Sequence, residues 1–391
     1  MPIAEKIKES IEKSSWIRKM FEAGIELKSK FGNDNVYDFS IGNPDLPPPP
    51  EFFKILKELS SKETDGVHGY MPNAGYPAVR EKVAVQASQE LGIKLTGENI
   101  IMTCGAAGAL NVIFKTILNP GDQVIVLKPY FVEYGFYITN HNGEMVLVET
   151  NSDFSINIDK IKSAISARTK AVLLNSPNNP TGRVYTEEEI KALAKLLDER
   201  AEDGQHIYLI SDEPYRKIVY DDIHVPSILK HYPDSIAATS YSKTLSIPGE
   251  RIGYIAVNPK CNDYDMLMAG MIMSNRILGF VNAPALIQRI VAGLTDVSVD
   301  VAPYKRRRDL LMKGLSSAGY DFFKPDGAFY LFCKSPVADD VTFVKHLQKF
   351  NILVVPGVGF GGPGYFRISY TVPDKMIEKS FKGFAEAIKS I

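Results

Sequence analysis

The chain has 391 residues, of which 45% are hydrophobic and 23% charged, and its formal net charge is −1. This length predicts two domains, because one hydrophobic core rarely grows beyond about 250–300 residues. The near-neutral charge excludes a general electrostatic attraction to nucleic acid or to an anionic membrane. No apolar run approaches the ~18 residues that a membrane span needs.

Three widely spaced cysteines, Cys104, Cys261 and Cys333, predict reduced thiols and a cytoplasmic protein rather than a disulfide framework. Residues 1–15 are charged and amphipathic, and they lack the apolar segment of a secretory signal. The histidines form no HExxH motif and no pair at metal-ligand spacing, so no metal site is expected. The basic run at residues 305–308 opens a helical pattern, which favours a solvated helix face over a nucleic-acid patch.

The first predicted elements form an N-terminal arm. An amphipathic helix is predicted over residues 17–31, with its end at Gly32, and a short strand over residues 36–41. Four consecutive prolines, residues 47–50, predict a stiff linker into a larger domain. Helices over residues 51–59 and 76–91 follow, separated by a loop rich in turn residues at 66–75.

From residue 99 the hydrophobic pattern alternates between strand and helix. Strands are predicted over residues 100–103, 123–127, 145–149, 171–175, 207–211, 236–240 and 252–257. Helices are predicted up to residue 118 and over residues 131–139, 158–165 and 186–202. This alternation predicts a mostly parallel sheet with helices on both faces, whose ligands lie beyond the carboxyl ends of the strands.

The last third of the chain predicts a smaller α+β domain. A long helical stretch over residues 263–294 precedes it. Within it we expect strands over residues 328–334, 352–355 and 365–370, with helices over residues 304–318, 341–350 and 375–388. The predicted division is an arm over residues 1–45 that joins the small domain, a large domain over 46–285 and the small domain over 286–391.

One hydroxyl-rich turn, Ser240-Tyr-Ser-Lys243, carries the first candidate chemistry. Lysine forms Schiff bases when its surroundings lower the pKa of its amine. Arg251 follows just before a predicted strand, and an arginine fork with the Ser240 hydroxyl suits a phosphate dianion. A Schiff-base lysine beside a phosphate anchor suggests pyridoxal 5'-phosphate. A surface lysine and arginine that flank a turn would give the same pattern.

Other motifs also follow predicted strands. Cys104-Gly-Ala-Ala-Gly108 places small residues at a helix N-terminus, where backbone N–H groups can bind phosphate or simply close a tight turn. Asn175-Ser-Pro-Asn-Asn-Pro-Thr-Gly182 joins an apolar strand to a capped helix. Asp212 ends the next strand and either caps a turn or meets a cation. Arg367, within an apolar strand, is expected to hold a carboxylate or to form a structural ion pair.

In order and spacing, these motifs resemble the class I/II, fold-type I pyridoxal-phosphate-dependent aminotransferases of the aspartate aminotransferase superfamily. The resemblance extends from Ile41-Gly-Asn-Pro-Asp45 to Phe366-Arg-Ile-Ser369. It implies an α/β fold, with a mostly parallel seven-stranded-type sheet in a large domain and a smaller α+β domain. It also implies a homodimer with shared active sites, amino-acid and 2-oxo-acid substrates, and no nucleic-acid or membrane partner.

The resemblance implies a role for each matching residue. Lys243 would bind pyridoxal phosphate covalently and carry the proton, Asp212 would pair with the ring nitrogen, and Asn179 and Tyr215 would bind the phenolic oxygen. The remaining cofactor contacts would come from Phe131 on the ring and, at the phosphate, from Gly105, Ala106, Ala107, Ser240, Arg251 and Tyr70 of the neighbouring subunit. Gly42, Asn179 and Arg367 would bind the substrate α-carboxylate. Ala106 and Ala107 replace a pair that often includes a hydroxyl, so one phosphate hydrogen bond is in doubt.

The expected reaction is a ping-pong transfer of an amino group from an α-amino acid to a 2-oxo acid. Aspartate is the first expected donor and 2-oxoglutarate the expected acceptor, with aromatic amino acids or alanine as alternative donors. Phe131, Tyr134 and Tyr330 are expected to line an apolar side-chain pocket that suits aromatic donors as well. Arg276 lies near the region where a distal-carboxylate arginine is expected, but a structural role is favoured. A cysteine-S-conjugate β-lyase and an amino-acid decarboxylase share the cofactor site. A regulator domain is disfavoured, because the motifs begin at residue 41 and leave little room for a DNA-binding extension.

Overall fold

The structure is a computed structural model that describes residues 3–12, 16–61 and 68–391. Its helices are α1 Glu5–Glu12, α2 Trp16–Phe31, α3 Pro50–Ser60, α4 Pro77–Leu91, α5 Gly105–Ile117, α6 Tyr134–Thr139, α7 Ile158–Ala164, α8 Glu187–Glu202, α9 Ile228–His231, α10 Tyr241–Thr244, α11 Tyr264–Ile277, α12 Ala285–Val291, α13 Ala302–Ala318, α14 Asp340–Gln348 and α15 Asp374–Lys389. Its strands are β1 Tyr37–Asp38, β2 Ile100–Thr103, β3 Gln123–Lys128, β4 Glu144–Glu149, β5 Thr169–Asn175, β6 Tyr208–Asp212, β7 Ser235–Ser240, β8 Gly253–Val257, β9 Tyr330–Lys334, β10 Ile352–Leu353, β11 Val355–Pro356 and β12 Tyr365–Ser369.

A seven-stranded sheet in the order β2-β8-β7-β6-β5-β3-β4 forms the centre of the fold. Strands β3 to β7 run parallel to one another, whereas β8, which lies between β2 and β7, is antiparallel to both of these strands. The predicted α/β fold with a mostly parallel sheet is therefore confirmed. The register pairs Asn175 with Asp212, so the ends of β5 and β6 lie side by side.

Helices cover both faces of this sheet because successive residues of a strand point to opposite sides. Val172 and Leu174 of β5 belong to one apolar core, whereas Ala171 and Leu173 belong to another. Helices α4 and α8 contribute to the first core, and α5 and α11 contribute to the second. Such two-sided burial explains why the strands are almost continuously apolar.

A second, smaller group of strands lies toward the C-terminus. The antiparallel sheet β11-β12-β9 packs in an aromatic core that includes Phe332, Phe343 and Phe366. β1 of the N-terminal arm pairs with β10, which joins the arm to this region. The bounds of the arm and of the two domains stay a prediction.

Two predicted elements are wrong in detail. The helix expected over residues 263–294 is two helices, α11 and α12, because Gly279 and Val281 adopt positive φ and Pro284 precedes the second helix. The strand expected over residues 352–355 is two short strands, β10 and β11, which belong to different sheets. The hydrophobic pattern of one segment does not show which strands its two halves pair with.

The arm and its linker also differ from the prediction. The strand predicted over residues 36–41 is limited to Tyr37–Asp38. Pro50 is the first residue of α3, a position that suits proline because its missing N–H has no partner in the helix. Residues 66 and 67 of the predicted loop lie outside the described residues.

Candidate active site

A cavity of ≈ 290 Å³ lies beyond the carboxyl ends of β5, β6 and β7. It brings together residues that are distant in the sequence but were all predicted as site residues. Those on its wall are Gly42, Ala106, Ala107, Phe131, Asn179, Asp212, Tyr215, Ser240, Lys243, Arg251 and Arg367. The position of the cavity at the strand ends matches the rule for ligand sites in parallel sheets.

Lys243 reaches the cavity from the short helix α10, which begins directly after β7. Its Nζ donates a hydrogen bond of 2.9 Å to the backbone oxygen of Gly42. Burial, with help from the positive charges of Arg367 and Arg251, lowers the pKa of Lys243 to about 8. The amine is thus far easier to deprotonate than an exposed lysine, as a nucleophilic amine requires.

Asp212 ends β6 and is buried at the floor of the cavity. Its Oδ2 accepts a hydrogen bond of 2.6 Å from the Tyr134 hydroxyl, whereas its buried Oδ1 has no hydrogen-bond partner among the residues that the structure describes. Burial raises the pKa of Asp212 to about 7, and the hydrogen bond from Tyr134 opposes that rise. Burying a carboxylate oxygen without a hydrogen bond costs free energy of folding, so we expect Oδ1 to accept a hydrogen bond from a ligand in the cavity.

The Asn-Pro-Thr-Gly turn is fixed to the strand ends by asparagine side chains. Asn175 Nδ2 donates to the backbone oxygen of Asp212 at 2.8 Å, and Asn175 Oδ1 accepts from the backbone N–H of Asn179 at 2.7 Å. Within the turn, the Thr181 hydroxyl donates to Asn178 Oδ1 at 2.9 Å. These bonds hold the Asn179 side chain at the cavity wall.

Arg367 lies in β12 and is 2% exposed. Its Nη1 donates to Asn179 Oδ1 and its Nη2 to the backbone oxygen of Ser40, both at 2.9 Å. Its Nε has no hydrogen-bond partner in the described part of the chain. The guanidinium lies over the rings of Tyr330 and Phe360, at 4.4 and 4.6 Å from their centroids. Aromatic rings and backbone thus hold one cation in place at the cavity wall.

Two tyrosines, Tyr215 and Tyr330, also lie on the cavity wall. The hydroxyls of Tyr215 and Tyr330 are joined by a hydrogen bond of 2.9 Å. Tyr330 also lies so close to Gly42 that a Cβ at residue 42 would overlap its hydroxyl. Glycine is therefore required at this point of the chain.

The opposite end of the cavity is formed by the N-terminus of α5 and by Arg251. Gly105 has a φ of +72°, and a Cβ there would lie 3.0 Å from Arg251 Nη2. Arg251 is exposed, and its Nη1 donates to the backbone oxygen of Pro248 at 3.0 Å. A helix N-terminus beside a guanidinium can bind an anion, because it provides both unpaired backbone N–H groups and positive charge.

Tyr70 and Arg276 lie outside the cavity. Tyr70 is 95% exposed. Its loop is tied to the end of α11, where Asn275 Nδ2 donates to the backbone oxygen of Asn73 at 3.0 Å. Arg276 is exposed, and its Nη2 lies 3.1 Å from Met273 Sδ. Neither residue is part of the wall of the cavity in its own chain.

Sequence reasoning missed two contacts that shape the site. Tyr134 was predicted only as part of an apolar side-chain pocket, yet its hydroxyl bonds Asp212. Asn175 was quoted only as the first residue of its motif, yet it links that motif to β6. The position of Asn175 at the end of a predicted strand could have indicated its contact with the next strand. No feature of a single sequence indicates where a tyrosine hydroxyl points.

Comparisons with known proteins assign the chain to a family. Residues 34–383 match the family model described as aminotransferase class I and II. A protein of Methanocaldococcus jannaschii named probable aspartate aminotransferase is 34% identical, with 94% of this chain and 95% of that protein covered. One of Thermus aquaticus named probable aspartate/prephenate aminotransferase is 35% identical, with 93% and 94% covered.

Solved structures give the same result. An aminotransferase from Eubacterium rectale superimposes with a TM-score of 0.97 at 39% identity, over 100% of this chain and 99% of that one. An aspartate aminotransferase from Thermus thermophilus, solved with maleate, gives 0.89 at 30% identity, over 99% and 100%.

The fold is that of a fold-type I aminotransferase. The chain belongs to the aminotransferase class I and II family, and it is a transaminase. Members of this family use pyridoxal phosphate. Among the helices that the structure describes, none is both long and apolar enough to cross a membrane.

Proposed function

We propose that this transaminase uses pyridoxal phosphate to transfer the amino group of aspartate to a 2-oxo acid, with 2-oxoglutarate as the first candidate acceptor. The observation that carries the proposal is the cavity itself. It places a lysine of lowered pKa, a buried carboxylate with an unpaired oxygen and a buried arginine around one space. These are the groups that the cofactor and an α-amino acid require.

The residues present fit pyridoxal phosphate. Asp212 Oδ1, buried and unpaired, suits a protonated ring nitrogen. The phosphate would be held by the α5 N-terminus and Arg251, together with Gly105, Ala106, Ala107 and Ser240. Phe131 would lie against the ring, and Asn179 and Tyr215 would bind the phenolic oxygen. When bound, the cofactor supplies the electron-accepting ring that allows the Cα–H bond of the amino acid to break.

Lys243 has two roles in this proposal. It would hold the cofactor covalently, and its amine, when free, would accept the proton from the substrate Cα as a general base and donate it again as a general acid. A pKa of about 8 keeps both the neutral and the charged amine populated near neutral pH. The backbone oxygen of Gly42, 2.9 Å from Nζ in the described state, gives the free amine a hydrogen-bond acceptor.

Arg367 is proposed to bind the substrate α-carboxylate. Within the described residues it forms no ion pair, although it is fully buried and its Nε is unpaired. A buried cation of this kind is stabilised by an anionic ligand. Gly42 and Asn179, at the same part of the wall, would complete the α-carboxylate site. This requirement favours α-amino acids over simple amines.

Aspartate is proposed as donor because relatives that cover nearly the whole chain carry that name. Among the described residues, the lysines and arginines on the cavity wall are Lys243, Arg251 and Arg367, which leaves the distal carboxylate without a dedicated cation of the same chain. Arg276 of a second copy is the candidate partner. The aromatic wall around Phe131 and Tyr330 favours an aromatic donor as the second candidate, and one relative is named for prephenate as well as aspartate.

We further propose a cytoplasmic homodimer. The Tyr70 side chain is 95% exposed, and Met273 and Ile277 of α11 are 47% and 52% exposed. Asn73 Nδ2 donates to the backbone oxygen of Val281, and the backbone oxygen of Asn73 accepts from Asn275 Nδ2 of α11, so the loop of Tyr70 lies beside the end of this helix. Such a surface suits a second copy, to whose phosphate site Tyr70 would contribute. The proposed domain bounds, at residues 45 and 285, would leave this surface on the large domain.

The test of the substrate proposal is a screen of the purified protein with single amino acids and 2-oxoglutarate. We expect aspartate to give the highest kcat/KM, with glutamate formed in equal amount to oxaloacetate. A higher value for tyrosine or phenylalanine would replace aspartate by the aromatic candidate. Release of pyruvate from cysteine conjugates without an acceptor, at a rate above any transamination, would contradict the proposed reaction.

A further inference from the structure

Asp212 was predicted as a site residue, whereas its contact with Tyr134 was not predicted. Tyr134 begins α6 and is 1% exposed, and its hydroxyl lies 2.6 Å from Asp212 Oδ2. In the described residues this is the hydroxyl's one hydrogen bond. The other oxygen of the same carboxylate, Oδ1, is buried and unpaired. One oxygen is therefore held by the protein, while the second is left for a ligand.

We propose that Tyr134 is a positioning residue of this aminotransferase, which holds Asp212 Oδ2 so that Oδ1 faces the ring nitrogen of pyridoxal phosphate. The inference rests on the proposed cofactor and adds a determinant of how tightly and in which charge state that cofactor is bound. It assigns Tyr134 a polar task in place of the apolar side-chain pocket expected from the sequence.

The surroundings of Tyr134 make its hydroxyl a fixed donor. The side chain belongs to the core between the sheet and α5, together with Leu110 and Ile138. Its ring meets that of Phe131 edge to face, with centroids 5.5 Å apart and an interplanar angle of 85°. A ring held on these sides cannot turn its hydroxyl away without disturbing the core. The donor position is thus set by packing before any ligand binds.

Asp212 is held from a second side through its backbone. Its carbonyl oxygen accepts from Asn175 Nδ2 at 2.8 Å, and its strand partner across β6 and β7 is Ala238. With the main chain fixed, rotation of the carboxylate is the remaining freedom, and the hydrogen bond from Tyr134 restricts it. Precise sites generally depend on such supporting hydrogen bonds.

The hydrogen bond also acts on charge. Burial alone favours the neutral acid and raises the pKa of Asp212, whereas the donor from Tyr134 lowers it. The distance of 2.6 Å lies in the range of a charge-assisted bond from a hydroxyl to a carboxylate. An ionised Asp212 is the form that attracts a protonated ring nitrogen. Tyr134 therefore supports both the direction and the charge that the contact needs.

The test compares pyridoxal phosphate with its analogue in which the ring nitrogen is replaced by carbon. Both can bind Lys243 and the phosphate site, so the ratio of their dissociation constants reports the contact between Asp212 and the nitrogen. The full-length protein, stripped of cofactor, is titrated with each. We expect Tyr134→Phe to reduce the wild-type preference for pyridoxal phosphate by roughly tenfold or more, as loss of a buried charge-assisted hydrogen bond implies.

Tyr232→Phe is the matched control. Tyr232 is also 1% exposed, and its hydroxyl donates to the backbone oxygen of Ile207 at 2.9 Å, at the opposite end of β6. Its replacement removes a buried tyrosine hydrogen bond in the same domain and should leave the ratio unchanged. In an Asp212→Asn background, Tyr134→Phe should add no further loss of preference, because the charge on which it acts is gone.

A wild-type ratio in folded Tyr134→Phe would overturn the inference. If that variant does not fold, 3-fluorotyrosine placed at position 134 keeps the hydroxyl, and its fluorine resonance should shift more with pyridoxal phosphate than with the analogue. Equal shifts would also overturn the inference. Failure of the wild-type protein to bind pyridoxal phosphate at Lys243 would instead refute the proposed function, so the two failures are distinguishable.

Discussion

Replacement of Arg367 by alanine is expected to lower kcat/KM for aspartate by roughly 30- to 4000-fold, which corresponds to about 2–5 kcal/mol of transition-state binding. The range is the cost of leaving a buried carboxylate without its cation. The upper part is favoured here because Arg367 is 2% exposed and lies between two aromatic rings. Solvent therefore cannot take over the role of the guanidinium.

The loss should be similar for aspartate, alanine and phenylalanine, because all three carry the same α-carboxylate. Arg367→Lys should recover part of the activity, since it restores charge but not the planar fork that bonds Asn179 and Ser40. The assay is steady-state kinetics with each donor, alongside the absorbance of bound cofactor to show that the site is still loaded.

Arg308→Lys is the matched control for the loss of a buried guanidinium. Arg308 is 1% exposed, lies over the ring of Tyr220 and pairs with Asp221 at 2.9 Å, away from the cavity wall. It should change kcat/KM by less than about threefold. A change of that small size for Arg367→Ala, with cofactor bound, would refute the role of Arg367 in binding the α-carboxylate.

Three further experiments test other parts of the site. Asp212→Ala should lower kcat by at least about a hundredfold while the phosphate contacts still retain cofactor, and a change within about threefold would make Asp212 structural. Tyr70→Phe and Lys243→Ala chains, each impaired alone, should regain activity when mixed, because one of the two sites then has both native residues; activity no higher than either parent would contradict a shared site. Arg276→Ala should lower kcat/KM for aspartate by roughly 30-fold or more and that for phenylalanine far less, if it binds the distal carboxylate. Equal losses for both donors would make Arg276 structural.

Most of the site could be predicted from the sequence because its residues lie in short motifs at strand ends. The motifs with Asn179, Asp212 and Lys243 each follow a strand, and parallel strands bring their carboxyl ends to one edge. Motifs that follow neighbouring parallel strands in the sequence are therefore close together in the structure. Arg367 comes from a different sheet, and only the resemblance to a family connected it to the same cavity.

What could not be predicted depends on packing between distant elements. The hydroxyl of Tyr134 meets Asp212 across 78 positions of sequence, and no local pattern records that contact. The break after α11 depends on the positive φ of Gly279 and Val281, which a continuous apolar pattern conceals. The proposed contacts of Tyr70 and Arg276 are with the cavity of a second copy, and the sequence of one chain does not specify how two copies pack.

Reduction of the purified protein with borohydride tests most directly whether pyridoxal phosphate is bound covalently to Lys243. Reduction makes the link between lysine and pyridoxal phosphate permanent, so the labelled peptide can be identified by mass spectrometry. We expect the pyridoxyl group on Lys243, in the peptide that contains Ser240 to Thr244, and no label in Lys243→Ala. Label on another lysine, or none in the wild-type protein, would contradict the assignment of Lys243 as the attachment site.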